Sequence, residues 1–190
     1  MYFQPLNPKI MKKVFFMLCC GAFVLSCNKP QESATPPPQT PVEPPQAELV
    51  DGRYAEIGKQ GIAALAAGDI DKWMEPFADN ARYLFNAGDS LVGKQAIADY
   101  WKDRRTNVIE KIEFTSDIWT PLKINKPQKG PDRAGVWLLC WYKVTASYKG
   151  GGTMSQWIHT DLHFDANDKI DLVVQYLDRA AIAAAMPKKK

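Results

Sequence analysis

The sequence predicts an α+β domain in which helices come first and pack on one face of a curved antiparallel sheet. Two observations support this prediction. Residues 47–104 place apolar side chains three and four positions apart, which is the spacing of amphipathic helices. Residues 111–177 instead alternate apolar and polar side chains, which is the period of strands, between polar turn segments. Helices followed by a run of strands favour separate layers over the alternating units of a parallel α/β sheet.

The helical half divides at turn and capping residues. A first helix is predicted over residues 47–67, and Gly68 is expected to end it because glycine readily adopts left-handed backbone angles. Asp69 can cap a short second helix. A strand over residues 81–86 and a third helix over residues 92–104 follow. The inward face of the second helix is expected to carry Ile70, Trp73, Met74 and Phe77.

The strand half begins where the apolar period changes to two. The predicted strands span residues 111–118, 134–148, 153–164 and 170–177. The second of these is apolar on both faces, which indicates a central strand covered on both sides. Pro121 is expected to interrupt or bend the first strand. Glycines 150–152 supply a hairpin turn, and Asp178 is expected to cap a short alanine-rich tail helix.

A leader-like segment, MKKVFFMLCCGAFVLSC, precedes the domain at residues 11–27. Two lysines, an apolar run over residues 14–25 and a small residue before a cysteine predict a secretory signal peptide over residues 1–26. The apolar run is shorter than the ~20 residues that a membrane-spanning helix needs, which disfavours a transmembrane segment. Residues 1–10 fit no part of a signal and are interpreted as the product of an upstream start site.

The end of this segment, VLSC, resembles the lipobox of bacterial lipoproteins. That resemblance implies cleavage before Cys27 and a diacylglycerol on its sulfur, and therefore a lipid anchor in the bacterial cell envelope. Asn28 is not the aspartate that marks inner-membrane retention in some bacteria, so the outer membrane is expected. Residues 28–45 contain seven prolines, and residues 27–46 are therefore predicted to be the lipidated cysteine and a semi-extended tether. The folded domain then spans residues 47–190.

The charge balance argues against nucleic acid as a partner. The chain has 24 basic and 21 acidic residues, and three of the lysines lie within residues 1–26, so the chain after Ser26 carries 21 of each. A neutral domain has no electrostatic reason to bind a polyanion. Of the four cysteines, Cys140 alone remains in the folded domain. It is expected to be a buried small hydrophobe rather than a disulfide partner or a catalytic thiol.

Three segments resemble, in order, the signature of the nuclear transport factor 2-like superfamily, and most closely its SnoaL-like branch. They are GDIDKWMEPFADNARYLF at residues 68–85, GDSLVGKQAIADYW at residues 88–101 and HFDANDKIDLVVQYLD at residues 163–178. The resemblance implies a cystatin-like fold, in which a cone-like sheet wraps around the long first helix. It also implies a pocket that is open at one end, and commonly a homodimer.

The aromatic content supports such a pocket, because concave binding sites are typically apolar with few polar groups. Plain core packing is the alternative for each residue. In SnoaL-like cyclases the last strand carries an aspartate that acts as a base, and the resemblance places Gln175 at that position. An amide cannot abstract a proton but can orient a carbonyl or hydroxyl, so Gln175 is a candidate ligand-binding residue. The other candidate lining residues are Trp73, Phe77, Tyr83, Phe85, Trp101, Trp141 and Trp157.

The strand over residues 153–164 carries both histidines of the chain on one face. Period two places His159, Asp161 and His163 on the same side, and His159 and Asp161 lie within about 7 Å along the strand. Such a pair can act as general acid and base, so His159 and Asp161 are the candidate catalytic residues. A satisfied structural pair is the alternative. No metal site is expected because a third ligand is missing, and no cofactor is expected.

Three functions remain open from the sequence. The first is a non-catalytic domain that binds a small apolar or amphipathic molecule in an aromatic pocket. The second is a cofactor-free isomerase, dehydratase or cyclase that uses His159 and Asp161. The third is a dimeric interaction scaffold that pairs through an apolar row on the last strand, formed by Ile170, Leu172, Val174 and Tyr176.

Overall fold

The computed structural model describes residues 43–188. They belong to a compact unit that runs from Val42 to Lys190. The predicted signal peptide, the lipid site Cys27 and all but the last residues of the predicted tether lie outside the described residues. In the part of the chain that is described, no helix combines the length and the apolar character needed to cross a membrane.

The described residues form four α-helices and seven strands, which confirms the predicted α+β class. The helices are α1 (Arg53–Ala67), α2 (Ile70–Met74), α3 (Lys94–Asp103) and α4 (Arg179–Ala185), and a π-helical turn (Arg104–Val108) follows α3. The strands are β1 (Ala47–Leu49), β2 (Phe77–Phe85), β3 (Ser90–Val92), β4 (Ile109–Ile124), β5 (Gly135–Tyr148), β6 (Thr153–Phe164) and β7 (Ile170–Tyr176).

All seven strands form one curved sheet in the order β1-β4-β5-β6-β7-β2-β3. Strands β4 to β7 make the predicted antiparallel meander, and β5 is flanked by β4 and β6. Strand β2, however, pairs with β7 in parallel, with Tyr83 opposite Val173 and Phe85 opposite Gln175. The prediction of a wholly antiparallel sheet is wrong at this pair. Parallel neighbours need a long connection, and here α3 and the whole meander supply it.

The first helix begins later than predicted, at Arg53. Residues 47–49 form the edge strand β1 against β4 instead. Asp51 Oδ1 accepts a hydrogen bond from the backbone N–H of Arg53 at 2.8 Å, which satisfies one of the free donors at the start of the helix. Gly68 has a φ of 81° and ends the helix as predicted.

The second and third helices are both shorter than predicted. Asp69 caps α2 as expected, because its side chain accepts from the backbone N–H of Lys72 at 3.0 Å. Phe77 lies on β2 rather than on α2. Val92, predicted as the start of the third helix, instead ends the edge strand β3 (Ser90–Val92), which pairs with β2. The helix α3 then ends at Asp103, where the π-helical turn begins.

Strand β4 continues through Pro121 instead of stopping there. The irregularity lies earlier, between Thr115 and Ile118, where Ser116 has a φ of 56°. The carbonyl of Pro121 accepts from the backbone N–H of Val50 at 3.2 Å, so that side of Pro121 faces β1 and not β5. The missing N–H of the proline therefore faces the end of a short edge strand, which is where a strand tolerates proline.

Helices α1, α2 and α3 cover one side of the sheet, called here the inner face; the opposite side is the outer face. The main core lies on the inner face, where Leu138, Tyr142 and Val173 are buried. A smaller apolar cluster on the outer face centres on Trp137, Leu172 and Val174. The burial of Cys140, on the inner face, is confirmed.

Candidate functional site

A cavity of about 400 Å³ lies between the helices and the inner face of the sheet. This volume falls within the range of small-molecule sites. Most of its wall is apolar, and it is built from α1, α2, α3, α4 and the inward side chains of β2 and β4 to β7. Six of the predicted ligand-binding residues line it: Trp73, Phe77, Tyr83, Phe85, Trp101 and Gln175.

The aromatic part of the wall is held together by edge and tilted ring contacts. The ring of Trp73 lies 5.0 Å from Phe77 and 5.6 Å from Trp101, measured between centroids. Tyr83 and Phe85 are 4.8 Å apart because alternate residues of β2 point to the same face. Such contacts fix the rings beyond what burial alone provides, so this wall is largely preformed.

A chain of neutral polar groups lies against the cavity. Tyr142 Oη and Thr160 Oγ1 share a hydrogen bond of 2.7 Å, and Gln175 Nε2 donates to Thr160 Oγ1 at 3.4 Å. Burial raises the pKa of the Tyr142 phenol and of the neighbouring Cys140 thiol, so both stay protonated at neutral pH. These groups can hydrogen-bond to a carbonyl or hydroxyl of a ligand but carry no charge.

Charged groups lie at the rim and not among these neutral ones. Asp89 and Arg179 both line the cavity and form an exposed ion pair, with Arg179 Nη2 at 2.5 and 2.8 Å from the two carboxylate oxygens. This pair holds the pKa of Asp89 below its usual value. Arg104 also lines the cavity, with its guanidinium 5.6 Å from the centroid of Tyr100.

Sequence reasoning missed several lining residues, above all Tyr142, Thr160 and Arg104. The signal for the first two was present, since Tyr142 and Thr160 alternate with the outward residues of β5 and β6. What could not be read from the pattern is which face of each strand the helices cover.

The predicted catalytic residues lie on the outer face, away from the cavity. His159 and Asp161 do meet, with His159 Nε2 2.8 Å from Asp161 Oδ1. Side chains alternate between the two faces along β6, however, so Ile158 and Thr160 point into the cavity while His159 and Asp161 point outward. The expectation that His159 looks into the pocket is therefore wrong. The physical reason is that the more apolar face of β6 is the one that packs under the helices.

Two predicted lining tryptophans also lie on the outer face. Trp157 is 54% exposed, and Trp141 stacks on the His159 ring at 4.4 Å between centroids. Tyr176 stacks on the other side of the same imidazole at 5.6 Å. Aromatic content alone could not separate these residues from the cavity wall, because this sheet carries large apolar side chains on both faces.

Both histidines of the domain are held as structural pairs. His159 Nδ1 is 3.0 Å from the carbonyl of Cys140, and burial raises the pKa of Asp161 while the neighbouring imidazole opposes that rise. His163 Nδ1 is 2.5 Å from Asp171 Oδ1, and its Nε2 faces the carbonyl of Ala134 at 3.1 Å. Within residues 43–188, no group of three or more His, Cys, Asp or Glu side chains is placed to hold a metal ion.

The predicted apolar row on β7 is split between the two faces. Ile170 lines the cavity, whereas Leu172 and Val174 belong to the outer cluster. An irregularity in the pairing of β6 with β7, between His163 and Phe164, breaks the alternation at this point.

Comparison with known proteins gives the class to which this fold and cavity belong. Residues 59–170 match the model of the SnoaL-like domain family. The chain therefore belongs to the SnoaL-like family, as the three signature segments suggested. No curated protein sequence matches the chain.

Solved structures share the fold at low sequence identity. A protein described as a putative polyketide cyclase from Xanthomonas campestris pv. campestris is 15% identical, with 70% of this chain and 96% of that chain covered and a TM-score of 0.56. A second one so described, from Pseudomonas putida KT2440, is 14% identical, with coverage of 69% and 96% and a TM-score of 0.55. A putative isomerase from Bacillus subtilis is 16% identical, with coverage of 73% and 100% and a TM-score of 0.54.

Proposed function

We propose that this chain is a lipid-anchored domain of the bacterial cell envelope that binds a small apolar or amphipathic molecule in its cavity without transforming it. One observation carries this proposal: a preformed aromatic cavity of about 400 Å³ whose inner polar groups, Tyr142, Thr160 and Gln175, are neutral. Such a wall favours transfer of apolar surface out of water and offers hydrogen bonds that orient one polar group of the ligand.

The ionisable groups of the site support binding over catalysis. Among the described residues, Asp89 is the one carboxylate that lines the cavity, and it is exposed and paired with Arg179. A general base must reach the proton that it abstracts, and His159 and Asp161 face away from the cavity. The resemblance to SnoaL-like cyclases places Gln175, an amide, at the position of their aspartate, which also supports binding.

The test uses the chain from residue 28 onward, which lacks only the proposed signal and lipid site and retains the compact unit Val42–Lys190. Thermal unfolding is measured against a library of small hydrophobic metabolites, and extracts of the purified protein are examined by mass spectrometry. We expect a subset of ligands to raise the melting temperature of the wild type. The same ligands should act on Trp157→Ala, an outer-face change, and fail on Ala146→Leu, which fills part of the cavity. A library without any stabilising member, together with an empty extract, would contradict the proposal.

A second candidate is a cofactor-free isomerase, dehydratase or cyclase, favoured by the names of the structural neighbours. In this chain the Tyr142–Thr160–Gln175 hydrogen bonds would have to stabilise an enolate while a bound water takes the α-proton, because His159 and Asp161 face away from the cavity. Deuterium exchange into the α-position of a bound cyclic ketone, followed by NMR, separates the two routes. Exchange that is lost in Tyr142→Phe and kept in His159→Gln supports an enzyme; exchange at the buffer rate supports binding alone.

The anchor in this proposal is Cys27, supported by the segment MKKVFFMLCCGAFVLSC that precedes it. Cells that express the full chain should incorporate labelled palmitate into it, and Cys27→Ser should abolish the label. Membrane fractionation should place the labelled wild type in the outer membrane. Labelling that survives Cys27→Ser, or a wild-type chain recovered without lipid, would contradict the proposed lipid anchor.

Homodimer formation is also part of the proposal, supported by the apolar outer face. Ile118, Trp157 and Tyr176 are large, apolar and exposed there, beside the half-buried Trp141 and Leu139. Contiguous apolar surface of this kind is typical of a protein–protein interface, and a second copy offers the same surface.

A further inference from the structure

Arg104 lines the cavity without forming an ion pair to any carboxylate of the described residues. Among the described residues that line it, the arginines are Arg104 and Arg179, and Arg179 is paired with Asp89. Arg104 has no carboxylate of residues 43–188 within ion-pair distance, in contrast to Arg53, Arg133 and Arg179. A guanidinium beside an apolar wall keeps its charge, so this end of the cavity is electropositive.

The position of Arg104 is set by a change in helix geometry. It is the residue at which α3 gives way to the π-helical turn Arg104–Val108. The guanidinium of the next residue, Arg105, binds the backbone instead: it donates to the carbonyl of Ala66 at 3.0 Å and to the carbonyl of Ile109 at 3.3 Å. Arg105 is therefore structural, whereas Arg104 is left at the cavity. Single π-turns in α-helices often occur at functional sites.

Further hydrogen-bond donors line the cavity that Arg104 lines. Tyr83 and Tyr148 line the same cavity, and the charge of Arg104 works against the burial that raises the pKa of each phenol. Trp101 lies one helical turn before Arg104, is only 8% exposed, and has a buried indole N–H without a hydrogen-bond partner in residues 43–188. A buried donor without a partner is uncommon and indicates that something else satisfies it.

We propose that the ligand of the cavity is an amphipathic carboxylate whose head group binds Arg104 and whose apolar body lies along the aromatic wall. This inference rests on the proposed binding function and names its ligand class. A carboxylate accepts two parallel hydrogen bonds from one guanidinium, and the indole N–H of Trp101 and the phenols of Tyr83 and Tyr148 are donors as well.

The charge of Arg104 and the volume of the cavity narrow the ligand class further. One uncommitted guanidinium matches one negative charge, which favours a carboxylate over a phosphate dianion. The cavity of about 400 Å³ holds roughly a dozen non-hydrogen atoms, at the ~30 Å³ that a water molecule occupies. A medium-chain fatty acid or an aryl-alkanoic acid of that size fits both limits.

The experiment measures binding of decanoate and of 1-decanol, its uncharged analogue, to the chain from residue 28 by isothermal titration calorimetry. The variants are Arg104→Gln, Arg104→Lys and, as the matched control, Arg82→Gln, which removes an exposed arginine of β2. We expect Arg104→Gln to weaken decanoate binding by about tenfold or more and to leave decanol binding within about twofold, since hydrogen bonds to charged groups contribute that much. Arg104→Lys should retain part of the affinity, and Arg82→Gln all of it.

The outcomes separate this inference from the function on which it rests. Decanoate affinity that is equal in wild type and Arg104→Gln overturns the inference while leaving ligand binding intact. An equal loss for decanoate and decanol also overturns it, because the arginine would then act through packing. Binding of neither probe, with no stabilising ligand in the library, overturns the proposed function and this inference together. Unfolding curves of each variant exclude loss of the fold as the cause.

Discussion

At the scale of single residues, two glycines of α1 face the same cavity with opposite tolerance. A Cβ on Gly58 would collide with Trp119 and approach Leu138 Cδ2 to 2.8 Å, whereas a Cβ on Gly61 would meet Trp73 at an ordinary 3.6 Å. Both positions are helical, so alanine brings the same gain in helix propensity at each. The difference in stability between the two alanine variants therefore measures the effect of packing alone.

We therefore expect Gly58→Ala to destabilise the domain and Gly61→Ala to stabilise it. Overpacking at Gly58 should cost about 1–3 kcal/mol, and Gly61→Ala should gain about 0.5–1 kcal/mol. Urea unfolding followed by circular dichroism measures both. A Gly58→Ala protein as stable as the wild type would mean that Trp119 can move aside, and hence that this part of the cavity is soft.

A second prediction at this scale concerns Asp161. Burial raises its pKa above the ordinary value of 3.8, so the folded state holds this proton more tightly than the unfolded state. Its contribution to the free energy of unfolding therefore falls as pH rises from about 4 through the raised pKa. Asp161→Asn should remove that fall and should not lower stability at pH 7. Unfolding in urea between pH 4 and 7 tests this; a variant that is less stable only at neutral pH would show that the ion pair with His159 outweighs the burial.

At the scale of elements, α4 is the last helix of the described residues and lies against the cavity. Ile182 and Ala183 of this helix, and Met186 directly after it, lie against the cavity. The backbone N–H of Gly152 donates to the carbonyl of Ala185 at 2.8 Å and holds the last turn. The start of the helix is fixed by Asp178, whose side chain accepts from the N–H of Ala180 at 2.8 Å, as predicted from the sequence. We expect a ligand to enter when this short helix opens.

Loss of the cap should loosen α4 without unfolding the domain. Asp178→Ala is expected to cost about 1 kcal/mol of local stability, and so to speed amide exchange in α4 roughly fivefold. Hydrogen exchange with mass spectrometry measures this, and ligand association should accelerate in parallel. Asp69→Ala is the matched control, since it removes the equivalent cap from α2. Exchange in α4 that responds equally to both variants would argue against a local opening.

The helix caps were predictable from the sequence because they are local, whereas long-range strand pairing was not. Gly68, Asp69 and Asp178 have local roles, set by backbone angles and nearby amides, and all three were predicted. The strand at residues 47–49 was not, because its apolar spacing also fits a helix and its partner β4 lies far away in sequence. The placement of His159 failed for a similar reason. Period two fixes which residues share a face, but only the packed helices decide which face encloses the cavity.

At the scale of the whole molecule, the apolar outer face leads to a prediction about assembly. We expect the wild-type chain from residue 28 to sediment as a dimer and Trp157→Lys to sediment as a folded monomer, because the exposed indole would be replaced by a charge that a second copy cannot match. Val92→Lys is the control, since this exposed residue lies on β3 at the far edge of the sheet. An unchanged sedimentation coefficient for Trp157→Lys would remove the outer face as the interface.

The parallel pairing of β2 with β7 has a consequence for how the chain matures. Residues 77–85 find their main partner only in residues 170–176, near the end of the polypeptide, and until then β2 has the three-residue strand β3 alone beside it. Contacts so distant in sequence form slowly. The sheet therefore cannot be completed before residues 170–176 have been synthesised, and β2 lacks its main partner while β4, β5 and β6 are made.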